Sequence, residues 1–100
     1  MEKYKLKIFT SAEQDLQDIT DYLNELSQQA ASKLYDEIVD GIGSLQQMPM
    51  RCPLVKNTVL RAKAYRMLVV GNYVVFYVVS DDTVQIRRIL YGRRKYEFLL

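Results

Sequence analysis

The sequence of 100 residues contains no histidine and no tryptophan, and it has one cysteine, two prolines and four glycines. Histidine is the usual proton donor and acceptor near neutral pH, so catalysis by a histidine acid or base is excluded. A zinc site would have to use carboxylates and one thiol. The single Cys52 cannot form an internal disulfide. We therefore expect no metal and no other cofactor.

Long apolar runs are also absent. The sequence has neither an 18-residue apolar stretch nor a charged-then-apolar leader near its start, so we expect a cytoplasmic protein with no membrane partner. Hydrophobic residues make up 49% of the chain and charged residues 26%. These proportions are typical of one globular domain, which we expect to span residues 1–100.

The charges are unevenly distributed along the chain. Residues 1–60 hold six basic and nine acidic side chains, whereas residues 61–100 hold eight basic and three acidic ones. The first part is therefore net −3 and the second net +5. This division predicts an acidic helical side and a basic sheet side.

The spacing of apolar residues predicts the first half of the fold. Residues 3–9 alternate basic and apolar side chains, as in a half-exposed edge strand. Thr10 and Ser11 are candidate N-caps for a helix that ends near Ser27. A second helical stripe runs from Ala31 to Met48 and is stopped by Pro49. The short link between them predicts an antiparallel helical hairpin.

The second half predicts a loop and three strands. Residues 49–63 show no clear period and are expected to form a surface loop. Strands at 65–70 and 73–80 meet at Gly71-Asn72, and a third follows Asp81-Asp82. In that third strand Arg88 falls on the apolar face unless a bulge shifts the phase. The expected fold is α+β: a helical hairpin packed on one face of a small antiparallel sheet, in the order β-α-α-β-β-β.

Cations and aromatic residues are mixed near the end of the chain. Five cations lie within residues 87–95, interleaved with tyrosine. Such a surface suits single-stranded RNA, because cations meet phosphates and aromatic rings stack on bases, but a solvated charged tail has the same composition. The candidate binding residues are Arg61, Lys63, Arg87, Tyr91, Arg93 and Lys95.

Three stretches carry a family resemblance: AEQDLQDITDYL at 12–23, YRMLVVGNYVVFYVV at 65–79 and IRRILYGRRKYEFLL at 86–100. With the order of elements, they resemble the RelE/ParE superfamily of bacterial toxins over essentially the whole chain. The resemblance implies the toxin of a type II toxin–antitoxin, or plasmid stabilisation, module. Such a toxin arrests growth and is neutralised by a cognate antitoxin whose tail wraps it.

Within that superfamily the RelE-like branch cleaves ribosome-bound mRNA without a metal, and the ParE-like branch inhibits DNA gyrase. Carrying the RelE-like residues over makes Arg66, Arg94 and Tyr96 the catalytic candidates. Leu68 and Val74 stand where that branch has two further cations. One aimed cationic donor commonly contributes about 3 to 4 kcal/mol to transition-state stabilisation, so the valine favours the ParE-like branch. A RelE-like mRNA interferase and a decayed member that only binds its antitoxin stay as alternatives.

Overall fold

The computed structural model describes residues 3–92 and 99–100. Its elements are β1 (Lys5–Ile8), α1 (Thr10–Leu26), α2 (Gln28–Ser44), a 3₁₀ turn (Pro49–Arg51), α3 (Thr58–Ala62), β2 (Arg66–Val70), β3 (Tyr73–Ser80) and β4 (Thr83–Tyr91). Within the described ranges the strands form one sheet in the order β1-β4-β3-β2. The predicted α+β architecture and the position of β1 at an edge are confirmed.

The direction of β1 differs from the expectation. It pairs parallel with β4, whereas β2–β3 and β3–β4 are antiparallel, so the sheet is mixed rather than wholly antiparallel. Alternation along a strand fixes which side chains share a face but says nothing about the direction of its neighbour. The sequence pattern therefore does not encode the direction of β1.

The two long helices lie close to their predicted positions. Phe9, in an extended conformation, is the N-cap of α1 and makes no side-chain cap, so the expected capping by Thr10 or Ser11 is wrong. Ser27 ends α1 and caps α2, its hydroxyl accepting the Ala30 N–H at 3.2 Å. The second helix stops at Ser44 instead of reaching Pro49.

The helix-facing side of the sheet carries the main core. Ile38 and Ile42 of α2, and Leu45 just after it, pack against Tyr77 and other buried sheet residues. Gly41 lets α2 approach β2 closely, because a Cβ at this position would lie 3.2 Å from Leu68 Cδ2 and 3.3 Å from Val70 Cγ2. A larger residue at this position would press on β2.

The opposite side of the sheet has a second core, which the sequence analysis did not anticipate. Val55 and Leu60, from the segment expected to be a surface loop, pack on Val74, Phe76 and their neighbours. This segment contains the short helix α3, and its Asn57 side chain accepts the Leu60 N–H at 3.1 Å. Residues 49–63 therefore cover the sheet instead of forming a plain loop.

A bulge shifts the phase of β4. Phe76 pairs with Arg88 and the next residue, Tyr77, pairs with Ile86, which leaves Arg87 as the extra residue. Ile86 and Ile89 can then both face the helices. The sequence placed Arg88 on the apolar face unless a bulge shifted the phase, and such a bulge is present.

Candidate functional site

Arg66, the first catalytic candidate, lies at the start of β2. Its side chain is hydrogen-bonded to the 3₁₀ turn and to the residue that follows the turn. Its Nη1 donates to the Cys52 carbonyl at 2.7 Å and to the Met50 carbonyl at 3.3 Å. Its cross-strand partner is Tyr77, whose hydroxyl donates to the Pro49 carbonyl at 2.5 Å. Arg66 and Tyr77 together hold the 3₁₀ turn against the sheet.

The surroundings of Tyr77 alter its ionisation. Burial and a hydrogen bond with Cys52 raise the pKa of the Tyr77 phenol well above its ordinary value of 10, although the positive charges of Arg66 and Arg51 oppose the rise. This tyrosine therefore stays a neutral hydrogen-bond donor, which is a structural role.

The two positions at which the RelE-like branch has further cations carry apolar residues in this chain, and both residues belong to the cores. Leu68 packs against the helix-facing core, and Val74, with 7% of its surface exposed, belongs to the core on the other face. Side chains directly opposite each other in a sheet share a face, so Arg66 lies on the helix side with Tyr77. Positions 66 and 74 are thus on opposite faces of the sheet, and the structure does not bring them together.

Arg87, a binding candidate, is held between two aromatic rings. Its guanidinium carbon lies 4.5 Å from the centroid of the Phe9 ring and 5.7 Å from that of Tyr65. Its Nε and Nη2 donate to the Gln85 amide oxygen at 3.2 and 2.7 Å, and Nη1 donates to the Tyr65 hydroxyl at 3.3 Å. Arg87 thus has a fixed orientation, with no carboxylate paired to it in the described ranges.

Arg88 is paired with an acid on the first helix. Asp15 accepts from Arg88 Nε at 2.7 Å and from Nη2 at 2.8 Å, and it also accepts the Ile89 N–H at 2.9 Å. The Asp15 carboxylate raises the pKa of the Arg88 guanidinium, although partial burial opposes it. Asp15 thus joins α1 to the part of β4 that extends beyond the end of β1.

Arg61 and Lys63 lie in and just after α3 and are exposed. The neighbouring Val59 is 62% exposed, and Lys56 is exposed as well. None of these cations has a carboxylate partner among residues 3–92 and 99–100. We call Lys56, Val59, Arg61 and Lys63 the α3 patch; these are three exposed cations and one exposed apolar side chain in and beside α3.

Tyr91 lies at the end of β4 and meets Tyr73 edge to face, with ring centroids 5.7 Å apart. Both line a cleft of about 500 Å³ between α1 and the sheet, together with Asp15, Asp18 and Tyr22. Tyr91 therefore shares a cleft with carboxylates, and Arg61 and Lys63 do not line that cleft. The remaining candidates, Arg93, Arg94, Lys95 and Tyr96, lie outside the described residues.

A larger cavity, of about 520 Å³, lies between the helical hairpin and β1. Its lining is mainly apolar and includes Leu6, Ile8, Leu16, Tyr35 and Val39. Ile8, Tyr35 and Val39 each expose more than two fifths of their surface, at 43%, 45% and 43%. We call this the hairpin groove; it is an open apolar surface on the helical side of the molecule.

The described part of the chain offers no group of three His, Cys, Asp or Glu residues placed to hold a metal ion. Nor does any helix in it have the length and apolarity needed to cross a membrane.

Sequence reasoning missed two of the structural contacts. The Asp15–Arg88 pair joins residues 73 positions apart, and the Tyr77–Pro49 bond joins residues 28 apart. For the first, the apolar phase of β4 placed Arg88 on the apolar face only in the absence of a bulge, and the bulge at Arg87 removes that signal. No signal in the sequence pointed to the second.

Comparisons with known proteins agree with this fold. The model of the ParE toxin family of type II toxin–antitoxin systems matches residues 6–96. A chain from the chromosomal ParDE toxin–antitoxin system of P. aeruginosa superimposes with a TM-score of 0.76 at 23% identity, over 89% of this chain and 96% of that one. A chain of the RelBE2 toxin–antitoxin complex from Mycobacterium tuberculosis superimposes with a TM-score of 0.65 at 19% identity, over 89% and 98%. Comparison with curated proteins gives no match.

The fold is that of the RelE/ParE superfamily, and the predicted resemblance is confirmed. Because the family model spans most of the sequence, the chain belongs to the ParE toxin family. It is a toxin of the type II toxin–antitoxin class.

Proposed function

We propose that this toxin acts on DNA gyrase, as expected for the ParE-like branch, and that it does not cleave RNA. The observation that carries the proposal is the use of Arg66 as a structural clamp on the Met50 and Cys52 carbonyls. A phosphate ligand would have to compete with both of these hydrogen bonds.

The apolar positions support the same conclusion. Cleavage of RNA by its own 2′-hydroxyl needs positive charge fixed around a phosphorane, and the contribution of such charge depends on its aim. Leu68 and Val74 supply none and lie on opposite faces of the sheet. The match to the ParE toxin family model agrees with this assignment.

The α3 patch is the proposed contact with gyrase. Its Arg61 and Lys63 side chains are exposed, and no carboxylate in the described ranges neutralises them. An unpaired cationic surface that also exposes a valine fits an acidic protein surface with an apolar contact. Arg93, Arg94 and Lys95, outside the described residues, stay predicted contacts of the same kind.

The hairpin groove is the proposed docking site of the antitoxin. Its exposed apolar lining suits one face of an amphipathic segment, which could bind as a helix in a groove. Co-expression with a neighbouring small acidic protein should give a complex that survives gel filtration. Tyr35→Asp should weaken it, whereas Leu26→Asp, at a 69% exposed position outside the groove, should not.

Induced expression in cells tests the proposed target. Without antitoxin, the chain should cause filamentation and induce a DNA-damage reporter while ribosome-bound mRNA stays intact by toeprinting. Arg61→Ala with Lys63→Ala should reduce the damage signal. Lys33→Ala, which removes an exposed cation paired with Glu37 on α2, is the matched control and should not. Cleavage of mRNA in the ribosomal A site would instead favour the RelE-like alternative.

A further inference from the structure

The cleft between α1 and the ends of β3 and β4 has a composition unlike that of the cationic surfaces. From α1 it receives Asp15, Asp18 and Tyr22, which lie on one face of the helix. From the sheet it receives Tyr73 and Tyr91. We call these five residues the tyrosine cleft.

The rings of this cleft form a corner. Tyr73 and Tyr91 meet at 79°, so their faces are nearly perpendicular. Tyr22 is 61% exposed and Tyr91 is 42% exposed, which leaves both rings accessible from solvent. Burial raises the pKa of the Tyr73 phenol, and so do the nearby phenols of Tyr91 and Tyr22. All three phenols line the same cleft.

Of the two carboxylates in the cleft, only one lacks a paired cation among the described residues. Asp15 is occupied by Arg88 and by the Ile89 N–H. Asp18 accepts one hydrogen bond, from the Gln14 amide at 2.8 Å, and no cation pairs with it in residues 3–92 or 99–100. An acid beside exposed aromatic faces repels phosphate and attracts a cation, because the faces of aromatic rings are themselves negative.

We propose that the tyrosine cleft binds the guanidinium of an arginine side chain presented by a partner protein. The planar guanidinium can stack on one ring and still donate to the Asp18 carboxylate, which a compact ammonium group does less well. A nucleic acid is disfavoured at this place because its phosphates would lie next to Asp18. The inference concerns a surface separate from the α3 patch and does not depend on gyrase being the target.

Titration of the full chain with N-acetyl-arginine methylamide tests the proposal, followed by ¹H–¹⁵N NMR. The amide signals of Tyr73, Leu90 and Tyr91 should shift in a saturable manner at millimolar probe concentration. The lysine analogue should bind more weakly, and the citrulline analogue, which keeps the shape but has no charge, should cause no saturable shift. Saturable shifts of equal size with citrulline, or no shifts with arginine, would overturn the proposal.

Variants of exposed residues complete the test without risk to the core. Asp18→Asn and Tyr22→Leu should each weaken arginine binding by about three- to fivefold, as expected for loss of one exposed ionic or cation–π contact. Asp21→Asn is the matched control, because Asp21 accepts an equivalent hydrogen bond from Gln17 at 2.8 Å but does not line the cleft. Equal weakening by Asp18→Asn and Asp21→Asn would show a general charge effect and would contradict a site at the cleft.

Discussion

Asp15 and Arg88 form a two-point ion pair that joins α1 to β4, with N–O distances of 2.7 and 2.8 Å. The Asp15 side chain is 11% exposed and that of Arg88 is 23% exposed, so the pair is largely shielded from water. Arg88 also donates to the Leu99 carbonyl at 3.1 Å. The pair therefore connects the first helix, the edge of the sheet and the end of the chain.

Replacing Asp15 should destabilise the fold substantially. Asp15→Ala leaves Arg88 without its counter-ion and the Ile89 N–H without its acceptor, so the free energy of unfolding should decrease by about 3 kcal/mol. Urea denaturation measures this change. The matched control is Asp18→Ala on the same helix, which should change stability by less than about 0.5 kcal/mol because Asp18 is exposed. Equal losses in the two variants would contradict the assigned role of Asp15.

Tyr77 should make stability decrease in alkaline solution. Its pKa is raised in the folded state, so the folded phenol keeps its proton at a pH where the unfolded phenol has lost it. This contribution is fully present below pH 10 and is lost as pH rises above it, by up to about 1.4 kcal/mol per pH unit. Tyr77→Phe should remove that dependence and cost about 1 kcal/mol at neutral pH through loss of the bond to Pro49.

Denaturation measured between pH 8 and pH 11 checks the Tyr77 prediction. Tyr35→Phe, at a half-exposed site, should keep the wild-type stability at neutral pH. If Tyr77→Phe and the wild-type chain lost stability equally steeply above pH 10, the buried phenol would not be the cause.

The two glycines of α2 should respond differently to alanine. A Cβ at Gly43 meets no atom within 4 Å, so Gly43→Ala should stabilise the chain by about 0.5 to 1 kcal/mol through helix propensity. At Gly41 the added methyl group presses on Leu68 and Val70 at 3.2 and 3.3 Å, which offsets that gain. Thermal unfolding should rank Gly43→Ala above Gly41→Ala, and the reverse order would contradict the close contact at Gly41.

An arginine at position 74 should not fit. Val74→Arg would place a charge in the second core and should destabilise the chain by at least about 3 kcal/mol. Val69→Arg is the matched control, since Val69 is the direct cross-strand partner of Val74 but is 62% exposed. A stable Val74→Arg variant with new ribonuclease activity would contradict the structural basis for excluding RNA cleavage.

The elements could be predicted from sequence because their signals are local. The period of apolar residues locates both helices, and Gly71 adopts the left-handed φ of +58° at the hairpin turn predicted there. The structure of residues 49–63 could not be predicted from local signals. Val55 and Leu60 are core residues because they pack on a distant sheet face, and no periodicity within the segment indicates this. The parallel pairing of β1 also depends on contacts between distant residues.

The candidate site was harder to predict than the fold. Carrying residues over by position gave Arg66 as a catalytic candidate, but a position in sequence does not say what a guanidinium binds. The hydrogen bonds to Met50 and Cys52 become visible when the 3₁₀ turn is placed beside β2. In the same way, Tyr91 was grouped with cations by its neighbours in sequence and lies beside Asp15 and Asp18 in space.

A supercoiling assay with purified gyrase and the purified chain tests the proposed target most directly. The chain should inhibit ATP-dependent supercoiling, inhibition should weaken when Arg61 and Lys63 are both replaced by alanine, and Lys33→Ala should inhibit like the wild type. In parallel, the chain should leave mRNA intact on programmed ribosomes. Unimpaired supercoiling together with A-site cleavage of that mRNA would contradict the account.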